Sequence, residues 1–227
     1  MEDQNPTLPR VHGGTRWKRW AAGVVGLTFV ACTAFQMSRH AFEEPPYETV
    51  RQGDGFEIRR YGSELVAETT VRAANHRAAT RAGFRRLADY IFGDNVAPDG
   101  QGSQKVAMTT PVEATPRLAG RSVEASESSE GHWVVTFILP SELTEATAPR
   151  PRDSRVAIHR RPARTVAVKR FSGRMDPALY ETKRGELLDQ VRRAGMTVYG
   201  PVTGAQYDPP GVLPAFRRNE VMVPVEP

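Results

Sequence analysis

Cysteine is almost missing from this sequence: Cys32 is the only one. No disulfide can form within the chain, and no cysteine-based zinc pattern is possible. The histidines (His12, His40, His76, His132 and His159) are scattered, without the close spacing of a metal site. There is no glycine-rich phosphate loop and no G-x-S-x-G elbow. Covalent hydrolysis needs a nucleophile beside a base, and the sole thiol sits in an apolar stretch, so the sequence is read as no enzyme. Charge of one sign is never gathered into a block. The formal net charge is +5, and the arginines are spread along the chain rather than clustered on one element with a recognisable nucleic-acid motif. Nucleic acid is therefore excluded as a partner. The charge implies only a mild attraction to anions.

Long apolar runs are also absent, with one exception. Arg16, Lys18 and Arg19 precede an uncharged stretch from Trp20 to Ser38. About 19 residues suffice to cross a bilayer as a helix, and basic residues in front favour an N-inside orientation. The expectation is a membrane-anchored chain whose domain is extracytoplasmic (the periplasmic side in a bacterium). Residues 1–45 would comprise a basic leader, a transmembrane or signal segment at about 20–38, and a short tether, "EEPPY". Cleavage after Ala34 and lipidation at Cys32 stay open as alternatives. Residues 46–227 form the folded domain, long enough to bury a core.

Within that domain, period-two patterns at 56–61 and 65–71 predict two strands around a turn at Gly62-Ser63. Asn75 can cap a helix running to about Phe92 and stopping at Gly93. Phe84, Leu87, Ala88 and Ile91 recur at i, i+3, i+4, i+7 and predict its core face. "KVAMTTPV" (105–112) reads as a strand with an edge or bulge at Pro111. A Ser/Glu-rich loop at 120–131 precedes the strand "HWVVTFILP". The order then recurs: two strands, a helix capped by Asp176 with Pro177 at its first position, and two strands near 198–207 and 220–225. The chain thus reads β-β-α-β-β twice, an α+β fold made from a degenerate repeat.

Two surfaces could carry binding. "QYDPPGVLPAFRRNEV" is stiffened by prolines, which lowers the entropy lost on binding. Tyr207, Pro209, Pro210, Val212, Leu213 and Phe216 could form an apolar wall with Arg217 and Arg218 at its edge. On the helix, Arg77, Arg81 and Arg85 recur every four residues as a stripe beside the apolar face. An apolar surface edged by arginines suits a flat, anionic ligand such as a porphyrin. The plainer readings are a solvated helix face and an ordinary loop.

"YETVRQGDGFEIRRYGSELVAETTV", "GFRRLADYIFGDN", "KVAMTTPV" and "YDPPGVLPAFRRNEVMV" together resemble the SOUL/haem-binding protein family, from about Tyr47 to Val225. The resemblance implies duplicated β-α-β-β-type halves forming a distorted antiparallel β-barrel flanked by two helices. It implies non-catalytic binding of haem or a related tetrapyrrole in a groove between the first helix and the loop before the last strand. By position, Arg81, Phe84, Arg85 and Ala88 lie on the helical wall, and Tyr207, Pro209, Pro210, Val212, Leu213, Phe216 and Arg217 on the loop. Some members place a histidine, proposed as iron ligand, where this chain has Arg60, so no axial ligand comes from that position. His76 is then the nearest ligand candidate, and a surface residue at a helix start is its plainer reading. The duplicated architecture also looks similar to effector-binding domains of transcription regulators. A small-molecule-sensing or protein-interaction module of the same fold is the alternative.

Overall fold

The computed structural model describes residues 42–117 and 131–226. In chain order the elements are β1 (Tyr47–Gln52), β2 (Glu57–Tyr61), β3 (Glu64–Ala73), α1 (His76–Phe92), β4 (Asn95–Val96), β5 (Val112–Pro116) and β6 (Gly131–Ile138). Then come β7 (Arg150–Pro151), β8 (Val156–Arg161), β9 (Arg164–Phe171), α2 (Pro177–Arg193), β10 (Thr203–Gln206) and β11 (Asn219–Pro224). The helices begin where their caps place them. Asn75 accepts from the Ala78 N–H at 3.0 Å, and Asp176 from the Leu179 N–H at 2.9 Å. Gly93, at φ +127°, ends α1 in a conformation that a side chain would strain.

Among the described residues nine strands form one sheet in the order β1-β2-β9-β11-β10-β5-β6-β3-β8, and every pairing in it is antiparallel. Exchange β2 with β8, β3 with β9, β5 with β10 and β6 with β11, and the order of these eight strands reads backwards unchanged. The β-β-α-β-β pattern therefore occurs twice, with the halves interleaved: β2 pairs with β9 and β3 with β8. The expected barrel is not closed. Its closure would set β2 against β8, but the outer side of β2 is taken by β1, Tyr47 standing opposite Tyr61. β1 and β8 remain as edges.

Alternation splits the sheet into two faces. Val221 and Val223 of β11 belong to the main core with Leu87, Ile91, Tyr180, Leu187 and Val191 of the helices. Met222 between them joins a second cluster with Tyr61, Val166, Val168, Ala205 and Tyr207. The buried side of α1 is His76, Ala79, Gly83, Leu87, Ala88, Tyr90 and Ile91. Phe84, expected on it, is 39 % exposed at its border, edge-on to Phe137 with ring centroids 5.3 Å apart. The reason is Gly83: a Cβ there would lie 2.4 Å from Val135, so the helix rests on β6 along its glycine, one residue from Phe84.

Two further expectations are corrected. Residues 105–111 of "KVAMTTPV" are not strand. Pro111 follows a cis bond, while the Val106 N–H donates to Ile91 O and the Thr110 N–H to Glu43 O; the ladder starts only at Val112. The transmembrane helix and the membrane-anchored, extracytoplasmic placement are not upheld. Among the described residues no helix is long and apolar enough to cross a membrane. Both helices have 17 residues, and α1 alone carries Arg77, Arg81, Arg85, Arg86 and Asp89. The run at 20–38, Cys32 and most of the 120–131 loop lie outside the described residues.

Candidate functional site

The loop between β10 and β11 is held by its own backbone. The Val212 N–H donates to Pro209 O at 3.1 Å, and a 3-10 turn at Pro214–Phe216 follows. Arg217 donates from Nε to Val212 O at 2.8 Å and from Nη2 to Pro210 O at 2.5 Å. Its guanidinium staples the loop rather than standing free as a rim cation. The Gly173 N–H reaches Pro214 O at 2.9 Å, fixing the loop to the β9–α2 connection. Val212 is buried as the anchor, whereas Leu213 and Phe216 are 64 % and 61 % exposed and Pro209 and Pro210 are exposed. On α1, Arg81 and Arg85 are exposed and have no ion-pair partner among the described residues; Ala88 is buried.

Tyr207 is placed differently from its neighbours in the loop. It is buried in the second cluster, and its hydroxyl donates to Glu220 at 2.7 Å. Glu220 also accepts from Arg59 at 2.9 Å and from Arg218 at 3.0 Å, and Arg218 lies 3.7 Å over the Tyr207 ring. Burial raises the Tyr207 hydroxyl well above its ordinary range, and pushes Tyr61 up to about 12. Burial is the largest single effect on Arg59 and works against its charge, but Glu220, Tyr61 and Glu57 together outweigh it and hold the guanidinium above its ordinary value. A second buried network lies at the β8–β9 turn. Arg161 contacts Glu64 at 2.7 Å and Glu113 at 2.6 Å; Arg164 contacts the same two at 2.7 and 3.2 Å. Burial works to raise the Glu113 carboxyl, yet the two arginines keep it below the usual range.

Neither network was foreseen: Arg59, Glu64, Glu113 and Glu220 alternate with the core residues of their strands and so read as solvent-facing. His76 fits neither of its two readings. It is fully buried, stacked on Tyr180 at 4.6 Å and edge-on to Trp133 at 5.9 Å. Among the described residues neither ring nitrogen makes a hydrogen bond of good geometry, and the Gly204 backbone is the polar group at the ring. Burial lowers its pKa to about 4. The signal for this was its register with Ala79, Gly83 and Leu87 along one helical stripe. No group of three or more metal-ligating side chains occurs among the described residues. Cavities of about 450 and 240 Å³ are lined by Arg60, Arg164 and Tyr199, and by Gly53, Phe56 and Arg170, among others.

The architecture defines a class first: an α+β domain with an interleaved antiparallel sheet and two helices on one face. Its sequence then identifies the family. The family described as SOUL heme-binding protein matches residues 42–224, and the chain belongs to it. Heme-binding protein 2 of Homo sapiens is 33% identical over 128 residues, 56% of this chain and 57% of the relative. Heme-binding protein 2 of Mus musculus is 32% identical over 130 residues, with the same coverage. The matched part thus spans little more than half the length of these curated relatives. Among solved structures, the EcmrR C-terminal domain superposes with a TM-score of 0.57 at 10% identity, covering 79% of this chain and 98% of that one. An uncharacterized conserved protein from Listeria innocua gives 0.50 at 12% identity, covering 74% and 92%. These likenesses concern the fold alone.

Proposed function

We propose that this domain binds haem or a related tetrapyrrole without transforming it, in an apolar groove walled by α1 and the β10–β11 loop and edged by arginines. The observation that carries the reading is the family match, which runs through both walls, together with two relatives named as heme-binding proteins. The residues fit such a ligand in part. Phe84, Leu213 and Phe216 offer exposed apolar surface, and Arg81 and Arg85 are cations with no carboxylate partner among the described residues. Arg217 is committed to loop carbonyls and shapes the wall instead. No axial ligand comes from Arg60, and the buried ring of His76 offers none. Burying about 400 Å² of ligand apolar surface would contribute a gross ~10 kcal/mol, much of it offset by association costs.

The test is a titration of the purified full chain with hemin. A shifted, saturable Soret band is expected, and Phe216→Ser should weaken it. Arg81→Glu and Arg85→Glu should each weaken binding about threefold, because exposed pairs contribute about 0.2–1 kcal/mol. A response equal to that of an unrelated protein of the same charge would remove the reading. A sensing module for another amphipathic molecule is the second reading, favoured by the fold shared with the EcmrR C-terminal domain. Saturable binding of a hydrophobic cation with no response to hemin would select it.

A further inference from the structure

At the other end of β11 from the proline-rich loop lies a cavity of about 450 Å³, lined by Arg60, Ala163, Arg164, Thr165, Tyr199, Val225 and Glu226. The strand between them has six residues, so the two places are roughly 20 Å apart. The cavity is built on fixed backbone. Arg60 stands opposite Thr165 in the β2–β9 ladder, and the Val225 N–H donates to Thr165 O at 3.1 Å. The Tyr199 N–H reaches Pro224 O at 3.3 Å, and the Glu226 N–H reaches Thr197 O at 3.1 Å.

The side chains divide into those already committed and those available. Arg164 is committed, with both terminal nitrogens on Glu64 and Glu113. Val225 is a buried apolar floor, and Tyr199 is 54 % exposed. The Tyr199 and Thr165 hydroxyls have no hydrogen-bond partner among the described residues, and the Glu226 carboxylate has no ion pair there. Arg60 is only loosely held, by Glu48 at 3.0 Å with both side chains more than half exposed. An exposed pair of that kind exchanges readily for a better partner.

We propose that this cavity is a second site, for a small aromatic zwitterion: a planar ring carrying both a carboxylate and an ammonium group, such as an aromatic amino acid. Arg60 takes the carboxylate, as a fork matched to two oxygens. Glu226 takes the ammonium. Tyr199 and Val225 take the ring, one by stacking and one by contact. The two charges disfavour simpler ligands: a plain carboxylate meets Glu226, and a plain amine meets Arg60.

Three probes test the site on the full chain by NMR titration of backbone amides: phenylalanine, phenylacetate and phenethylamine. Phenylalanine should shift Thr165, Tyr199 and Val225 saturably with a dissociation constant of about 1 mM, ordinary for a dozen heavy atoms in an open cavity. The other two should bind about tenfold more weakly. Arg60→Gln and Glu226→Gln lie at exposed positions and should each weaken phenylalanine about tenfold, while the exposed control Arg160→Gln leaves it unchanged. Equal affinity for all three probes overturns the assignment, as does indifference to both substitutions. So does the absence of saturable shifts at those amides. The tetrapyrrole reading is tested at Arg81, Arg85 and Phe216, so either can fail without the other.

Discussion

Lowering the pH from 8 to 5 should destabilise this domain through His76. The imidazole is completely buried between Tyr180 and Trp133, and a Cβ on Gly204 would fall 2.2 Å from its Nε2. Among the described residues neither nitrogen makes a hydrogen bond of good geometry, the Gly204 backbone being the polar group at the ring, and no carboxylate acts on it; α2, β6 and β10 contribute Tyr180, Trp133 and Gly204. Desolvation of a charge arriving there outweighs the one compensating contact, at the Gly204 backbone. Burial lowers the folded-state pKa to about 4, against 6.5 for the free side chain. A pKa depressed on folding means that the unfolded chain binds the proton more readily. The neutral ring's contribution is therefore complete above pH 6.5, declines as pH falls, and is exhausted below about pH 4. At about 1.4 kcal/mol per unit the total loss is about 3 kcal/mol, and roughly 2 kcal/mol of it is already gone at pH 5. A domain of ordinary stability, about 5–15 kcal/mol, would register this easily.

The measurement is urea unfolding at pH 8, 6 and 5, comparing wild type with His76→Leu. Leucine removes the titration along with two unsatisfied nitrogens, so the variant should lose little at pH 8. The difference in stability between the two proteins should then move by about 2 kcal/mol in favour of leucine between pH 8 and pH 5. Taking the difference cancels the contributions common to the two proteins. Parallel pH dependence in the two proteins would refute the account and imply that water or an alternative packing reaches the ring.

Three more substitutions probe the packing. Glu113→Gln leaves Arg161 and Arg164 facing a neutral amide in a buried setting, and should cost about 3–5 kcal/mol by denaturant titration. A cost below 1 kcal/mol would show the network to be solvated. Gly83→Ala places a methyl 2.4 Å from Val135 and should destabilise by about 1–3 kcal/mol despite the better helix former. Gly185→Ala in α2 meets nothing within 4 Å and should stabilise by up to about 1 kcal/mol; a shared sign for the two glycines would contradict the close approach of α1 to β6.

Both helices were legible because their signals are local: a cap residue, a 3.6-residue period and a glycine shortly beyond each end. Strands β2 and β3 were legible from alternation, β6 from its apolar run, and β8 and β9 from their likeness to the first pair. β1 was not, since all six of its residues are exposed and none marks an inner face. That one omission changes the architecture, because β1 occupies the edge that a closed barrel would have used. The loop was legible as rigid, but the destination of Arg217 was not. A guanidinium next to an apolar wall looks like a ligand contact until the carbonyls of Pro210 and Val212 are found within its reach.

The buried networks follow from the interleaving of the two halves, which no local pattern encodes. Glu64 belongs to β3 and Glu113 to β5, both in the first half; Arg161 and Arg164 flank the β8–β9 turn in the second. Arg59 of the first half likewise meets Glu220 of the second. Each buried charge thus has its partner in the other half, and burying it unpaired would be costly. Apolar contacts alone would tolerate a shift of one half against the other by two residues, since alternation is preserved. These ion pairs would not. They tie the register of the sheet to the same joint that His76 fills with a neutral ring. The chain therefore meets itself at two kinds of contact, one requiring charge and one excluding it.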